Sequence, residues 1–217
     1  MDSLNRHEDY GQELFDETHV LANPIEQFKV WLRDAEAAEI YEPNAFVLGA
    51  VNSEGQPTSR TVLLKGISED GFFFATNYLS RKGSAIEAEA RVSATFGWYS
   101  MFRQVLIEGR AVKVDSIESD DYFNSRPRDS QIAAWASRQS QPIASRAALE
   151  EQFAAAAAKF EGVAVTRPEF WGGYRILPTR IEFWKGRSNR MHDRIVFTRT
   201  EIAEGRFGEW SIERLQP

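Results

Sequence analysis

The chain has 217 residues, 42% hydrophobic and 27% charged, the balance of a soluble globular protein large enough to bury a core without staples. It contains no cysteine, which excludes disulfides, thiol nucleophiles and thiolate metal sites. A formal net charge of −6 argues against broad binding to a phosphate backbone, and no apolar run reaches membrane-spanning length, so neither nucleic acid nor a bilayer is an expected partner.

Residues 1–22 open polar and acidic, without an apolar signal core or clear periodicity, and read as a mobile arm or lid ahead of a single domain over 23–217. Asn23 then looks like an N-cap, with Pro24 at the first helical position and Glu26 placed for a capping box. Ile25, Phe28, Leu32 and Ala35 follow at helical spacing, which predicts an amphipathic helix over 24–39. From Ala45 the texture changes to short β-rich runs, AFVLGAV, SRTVLLK and GFFFATN, separated by turn residues, as in antiparallel hairpins. A short helix near 81–90 precedes RVSATFGWY and QVLIEGRAVKV. Two further helices are expected, near 117–126 and 146–160, before the chain returns to strands in YRILPTRIEFWKG, DRIVFTR and EWSIERL. Many closely spaced strands with clustered helices predict a mainly β fold, an antiparallel barrel with peripheral helices, rather than a parallel βαβ fold.

Four basic clusters lie at the boundaries of these elements. In Ser59–Lys65, strand alternation sends Arg60 and Lys65 to opposite faces, so they serve different partners or are merely the solvated ends of a core strand. In Thr76–Gly83, Ser80 is a good N-cap, which puts Arg81 and Lys82 in the first turn of a helix. Cations there oppose the helix dipole unless an anion sits at the helix start. In Tyr122–Gln131, Tyr122 and Arg126 lie four apart on one helical face that Pro127 ends, and Ser130 opens the next segment. Together they form a donor set for a phosphate monoester, or simply a helix stop with a surface ion pair. If residues 190–194 are extended, Arg190, His192 and Arg194 share one face, which suits an anionic or electron-rich ligand or a charged edge strand. The three histidines, His7, His19 and His192, are scattered, so no metal site is expected. No G-x-G-x-x-G, Walker A or G-x-S-x-G motif is present.

In chain order, SRTVLLK, TNYLSRKG, RQV, YFNSRPRDSQIAAWASRQS, FWGGYR, IEFWKGRSNRMHDR and the terminal Trp210–Pro217 resemble the signature segments of the pyridoxamine 5′-phosphate oxidases, over residues from about 24 to the end. The resemblance implies a six-stranded FMN-binding split barrel with peripheral helices, and a homodimer with FMN at the subunit interface. The implied activity is oxidation of pyridoxamine or pyridoxine 5′-phosphate by O₂ to pyridoxal 5′-phosphate, releasing hydrogen peroxide. By motif, Arg60 and Lys82 hold the FMN phosphate with Arg81 nearby. Thr61, Val62, Leu63, Leu64 and Lys65 run along the flavin with Ala75 and Thr76. Gln104 bonds the flavin, Trp184 and Arg194 flank it, and Gln139 and Ser140 reach it from the partner chain. Lys65, Tyr122, Arg126 and Ser130 match the substrate-phosphate positions, and Arg190 and His192 the catalytic residues over the pyridine ring. Tyr10 fits the family's lid tyrosine, but His7 stands where the family has an arginine, with Arg6 one residue further back. The implied location is the cytoplasm, in keeping with the absence of cysteine. Two other readings stay open: a different split-barrel flavin reductase or oxidase, and a non-catalytic protein that binds FMN or pyridoxal phosphate.

Overall fold

Helix α1 (Pro24–Ala37) begins as its capping residues dictate. The Asn23 side chain accepts hydrogen bonds from the backbone N–H of Ile25 (2.8 Å) and Glu26 (3.4 Å), and Pro24 fills the first helical position. The expected capping box does not form, because the Glu26 carboxylate pairs with Lys29 one turn on. The computed structural model describes residue 4 and residues 9–203 and 205–217. His7 and Arg6 lie outside the described residues.

Strands β1 (Ala45–Val51), β2 (Pro57–Leu63), β3 (Gly66–Ile67), β4 (Phe72–Asn77), β5 (Arg91–Trp98), β6 (Arg103–Lys113), β7 (Trp171–Lys185), β8 (Asp193–Thr198) and β11 (Ser211–Arg214) form one antiparallel sheet. Six of them, in the order β2-β1-β5-β6-β7-β4, curl into a barrel. β2 and β4 share no ladder among the described residues; the join runs through the residues that follow β2, where the Lys65 N–H donates to the Phe73 carbonyl (2.8 Å) and β3 pairs with β4. The barrel is therefore split at that seam. Alternation does the sorting: Phe46, Leu48 and Ala50 of β1 and Val92, Ala94, Phe96 and Trp98 of β5 all point inward. Phe28 of α1 plugs the barrel, meeting Phe72 (4.9 Å) and Phe96 (4.8 Å) edge to face.

Strand β7 divides its second edge between two partners. Residues 171–176 pair with β4, and 180–185 pair with β8. The changeover falls at Pro178, which has no N–H to donate, and the β6–β7 register shifts beside it, between Glu108 and Gly109. A small hairpin, β9 (Glu201–Ala203) and β10 (Arg206–Phe207), was not expected from the sequence.

Helices α2 (Arg81–Ala88), α3 (Ser116–Ser125) and α5 (Arg146–Lys159) fall where their periodicity predicts. A third helix in the 116–160 stretch, α4 (Arg128–Ala136), was missed. Its charged first turn hides a short apolar stretch, of which Ile132 and Ala134 pack with Phe123, Phe160, Val165 and Trp171 into a second core. The segment expected to be a mobile arm is partly built into the main core. Phe15 is buried against Trp31 (4.8 Å) and Phe183 (6.2 Å), and its N–H donates to Asp193.

Candidate functional site

The first group of candidate residues gathers where β2, β4 and α2 meet. Ser80 caps α2 by accepting from the Gly83 N–H (3.3 Å), so Arg81 and Lys82 occupy a first turn with no acidic residue. Lys82 Nζ donates to Thr76 Oγ1 (3.1 Å) and to Gln139 Oε1 (2.8 Å). Arg60 folds back on its own hairpin, donating to the Leu48 and Thr58 carbonyls (3.2 Å each) and to Thr58 Oγ1 (2.6 Å). Burial pushes the Lys82 ammonium down, and the Arg60 charge pushes it further; burial and then Arg81 act likewise on Arg60. Among the described residues none of these three cations forms an ion pair with a carboxylate, so their mutual repulsion stands uncompensated. Gln139 was expected from a partner chain, but its side chain lies on Lys82 of its own chain, because the loop after α4 returns over β4. Ser140 sits next to it in that loop, in the left-handed region at φ 72°.

Further along β4 lies a second group. The Tyr122 ring meets Phe73 edge to face (5.4 Å) and lies parallel to Trp171 (6.0 Å). The Arg126 guanidinium sits 4.5 Å above the Trp171 ring, so phenol and guanidinium share one aromatic floor. Arg126 is not on the helical face expected: it is the extended C-cap of α3 (ψ 149°), because the following Pro127 disfavours the helical conformation. Its Nη1 is buried and has no hydrogen-bond partner among the described residues. Burial lowers the Arg126 pKa and raises that of Tyr122, which therefore stays a neutral donor. Ser130 falls in the first turn of α4, and Lys65 follows β2 with its backbone bonded to Phe73. Thr61, Val62 and Leu63 lie within β2, Leu64 is buried just past its end, and Ala75 precedes Thr76 in β4.

The remaining candidates sit at the far end of β7. Gln104, Trp184 and Arg194 are consecutive cross-strand partners on β6, β7 and β8 and form a row across one face. Arg190, His192 and Arg194 do not share a strand face as expected. Asn189 and Arg190 take positive φ values (57° and 60°), and β8 starts only at Asp193. His192 instead packs against Trp184 (4.7 Å) and Tyr10 (5.7 Å). Its Nδ1 accepts the Arg187 N–H (3.1 Å), which assigns the ring proton of neutral His192 to Nε2. Burial, and then the Arg190 charge, hold its pKa below the usual histidine value. Tyr10 stacks on Phe102 (4.6 Å), and the glycine at 186 permits this, since a Cβ there would come within 2.7 Å of the Tyr10 ring. The arm is fastened alongside by Glu13 on Lys185, Glu17 on Arg214, and Ser188 on Asp9.

Cations and donors suited to anionic ligands thus fall into two sets within one chain. Trp171 supports one set and Trp184 belongs to the other, roughly 40 Å apart along β7 at about 3.3 Å per residue. A separate groove of about 780 Å³, lined by Gly49, Val51, Thr58, Ser93 and Arg110 among others, contains none of the candidates. Sequence reasoning missed Trp171, Phe73 and Phe102, the aromatic floors beneath Arg126, Tyr122 and Tyr10. FWGGYR had drawn notice only as a family segment.

Comparison with known proteins adds identity to this geometry. The family profile described as pyridoxamine 5′-phosphate oxidase matches residues 32–160, and one described as the pyridoxine 5′-phosphate oxidase C-terminal dimerisation region matches 171–217. The pyridoxine/pyridoxamine 5′-phosphate oxidase of Rubrobacter xylanophilus is 52% identical over 195 residues, covering 90% of this chain and 87% of its own. That of Crocosphaera subtropica is 46% identical over 217 residues, all of both chains. Among solved structures, PhzG from Burkholderia lata, in complex with tetrahydrophenazine-1-carboxylic acid, superposes with a TM-score of 0.87 at 32% identity. It covers 96% of this chain and 100% of PhzG. A pyridoxamine 5′-phosphate oxidase-related, FMN-binding protein of Nostoc punctiforme shares the fold, with a TM-score of 0.68 at 15% identity, covering 89% of this chain and 98% of its own.

Proposed function

The chain belongs to the pyridoxamine 5′-phosphate oxidase family, and we propose that it oxidises pyridoxamine and pyridoxine 5′-phosphate to pyridoxal 5′-phosphate in a homodimer that holds FMN between subunits. One observation carries the reading. Among the described residues two pockets rich in donors lack the anions that would balance them: the Arg60–Arg81–Lys82 cluster, which forms no ion pair with a carboxylate, and the buried, unpartnered Arg126 Nη1 beside Tyr122. A phosphate monoester satisfies each, since it offers several acceptor oxygens to a guanidinium fork and a neutral phenol.

On this reading Arg60, Lys82, Thr76 and Gln139 hold the flavin phosphate, while Gln104, Trp184 and Arg194 line its ring. Bound FMN supplies the two-electron acceptor for the substrate's amine- or alcohol-bearing carbon and the route to O₂ and hydrogen peroxide. The protein's own contribution is position. Arg126, Tyr122, Ser130 and Lys65 fix the substrate phosphate, which turns an encounter of two rings into one oriented arrangement. Neutral His192 presents its Nε2 proton as a donor, and Arg190 supplies positive charge beside it. Tyr10 and Phe102 close the cleft against water. One chain carries the two donor sets at opposite ends of β7, so a site that uses both draws them from two subunits, which supports the homodimer. A cytoplasmic location and a single oxidase domain over 23–217 complete the proposal.

The test is to purify the protein, record its flavin spectrum, and follow peroxide on adding pyridoxine 5′-phosphate. Well-folded protein that neither copurifies with FMN nor takes it up would end the case.

A further inference from the structure

Glu182 takes part in no step proposed above, yet it is a carboxylate with only 4% of its surface exposed, in β7 between β6 and β8 and diagonal to Arg194. One oxygen accepts Arg194 Nε (2.7 Å) and the other accepts Arg180 Nη2 (2.6 Å). Arg180 Nη1 in turn donates to Glu108 (2.9 Å). The result is an alternating row, Glu108–Arg180–Glu182–Arg194, across β6, β7 and β8. Arg194 is held a second time, by Nη1 on the Gln216 carbonyl (3.2 Å), and its backbone carbonyl accepts the Leu215 N–H (2.9 Å). Among the described residues its Nη2 amino group and the second Nη1 hydrogen remain for a ligand, and the residue itself is in register with Trp184.

A buried ion pair is weak grounds for stability, because desolvation about offsets the attraction and apolar residues would serve as well. What such a pair does supply is direction. A free arginine side chain carries rotamer entropy that a ligand must otherwise overcome when it orders the group. We infer that Glu182 is a positioning residue that sets the Arg194 guanidinium toward the flavin before FMN arrives, with Arg180 serving only to neutralise it. The inference rests on the reading that Arg194 flanks FMN.

The experiment titrates FMN into apoprotein by fluorescence quenching, alongside melting curves of the same samples. Glu182→Gln puts an amide NH₂ against arginine donors and is expected to weaken FMN about tenfold. Arg194→Ala should weaken it at least as much, and the double variant no more than Arg194→Ala alone. Arg180→Gln should stay within about twofold for FMN even where its melting temperature falls as far as that of Glu182→Gln. If Glu182→Gln fails to fold, Glu182→Asp, one methylene too short to reach both arginines, carries the same expectation. The inference is overturned if Glu182→Gln binds FMN normally while Arg194→Ala does not, if the two losses add, or if Arg180→Gln loses affinity in step with its stability. Normal FMN binding by Arg194→Ala overturns it differently, by removing Arg194 from the flavin.

Discussion

Arg126 combines an aromatic floor beneath its guanidinium with a buried nitrogen that the described residues leave unsatisfied. Charge-assisted hydrogen bonds to a phosphate are worth about 2–3 kcal/mol, so Arg126→Ala should raise KM for pyridoxine 5′-phosphate roughly 30- to 150-fold with kcat little changed. Steady-state kinetics check this, and an unchanged KM would remove Arg126 from the substrate. Lys82 makes a pH prediction. Burial and Arg60 lower its pKa in the apoprotein, so part of the Lys82 population is neutral at a pH where an ordinary lysine is charged. A phosphate dianion favours the charged form and raises that pKa, so binding FMN on the acid side of the ordinary lysine pKa should take up protons, and affinity should fall as pH rises further. Calorimetry in buffers of different ionisation enthalpy, scanned upward from neutral pH, measures the uptake; a value of zero throughout the scan would count against Lys82 at the phosphate. Residue types and their local order were readable from sequence here. Trp171 beneath Arg126 was not, because 45 residues separate them and only the fold stacks one on the other.

Elements carry these groups by their ends. Gly83 lies in the first turn of α2, next to Lys82, and a Cβ there would lie 2.1 Å from the Tyr78 carbonyl oxygen. Gly83→Ala must therefore shift the helix start, at about 1–3 kcal/mol for an overpacked site, and carry Lys82 with it. A melting temperature several degrees lower together with weakened FMN binding is expected; normal FMN affinity in a destabilised variant would show that Lys82 is not held by that turn. Caps were the most legible feature of the chain: Asn23, Ser80 and Pro127 each mark a boundary by side-chain chemistry alone. Residues 188–192 failed the same kind of reading. Period-two parity assumes extended backbone, whereas Asn189 and Arg190 turn left-handed while Ser188 is tied to Gly11 of the arm.

At the scale of the molecule, the two donor sets separated by β7 predict a specific genetic behaviour. Arg126→Ala weakens one set and Arg190→Ala the other, so with pyridoxine 5′-phosphate held well below the raised KM of Arg126→Ala each homodimer should be nearly inactive. In a mixed dimer built as proposed, both substitutions fall in one cleft and the other is intact. Co-expression should thus recover about a quarter of wild-type activity, from half the population with one of two sites working. No recovery would mean that both sets serve one cleft from a single chain. The barrel class was legible in the spacing of strands and turns. That β7 serves β4 at one end and β8 at the other was not, since edge sharing depends on which distant strands arrive, and no local pattern records it.

The seam between β2 and β4 links mechanical integrity to chemistry. It is fastened next to the β3–β4 pairing by the amide of Lys65, whose side chain is a candidate for gripping the phosphoester, and the acceptor is Phe73, against whose ring Tyr122 leans. Occupancy of that cleft should act as a stitch across the weakest join of the barrel. Deuterium uptake at the Lys65 amide should slow markedly with pyridoxal 5′-phosphate present, while uptake in the β5–β6 ladder hardly changes. Equal slowing at both places would show that the ligand tightens the whole barrel rather than sewing its edge.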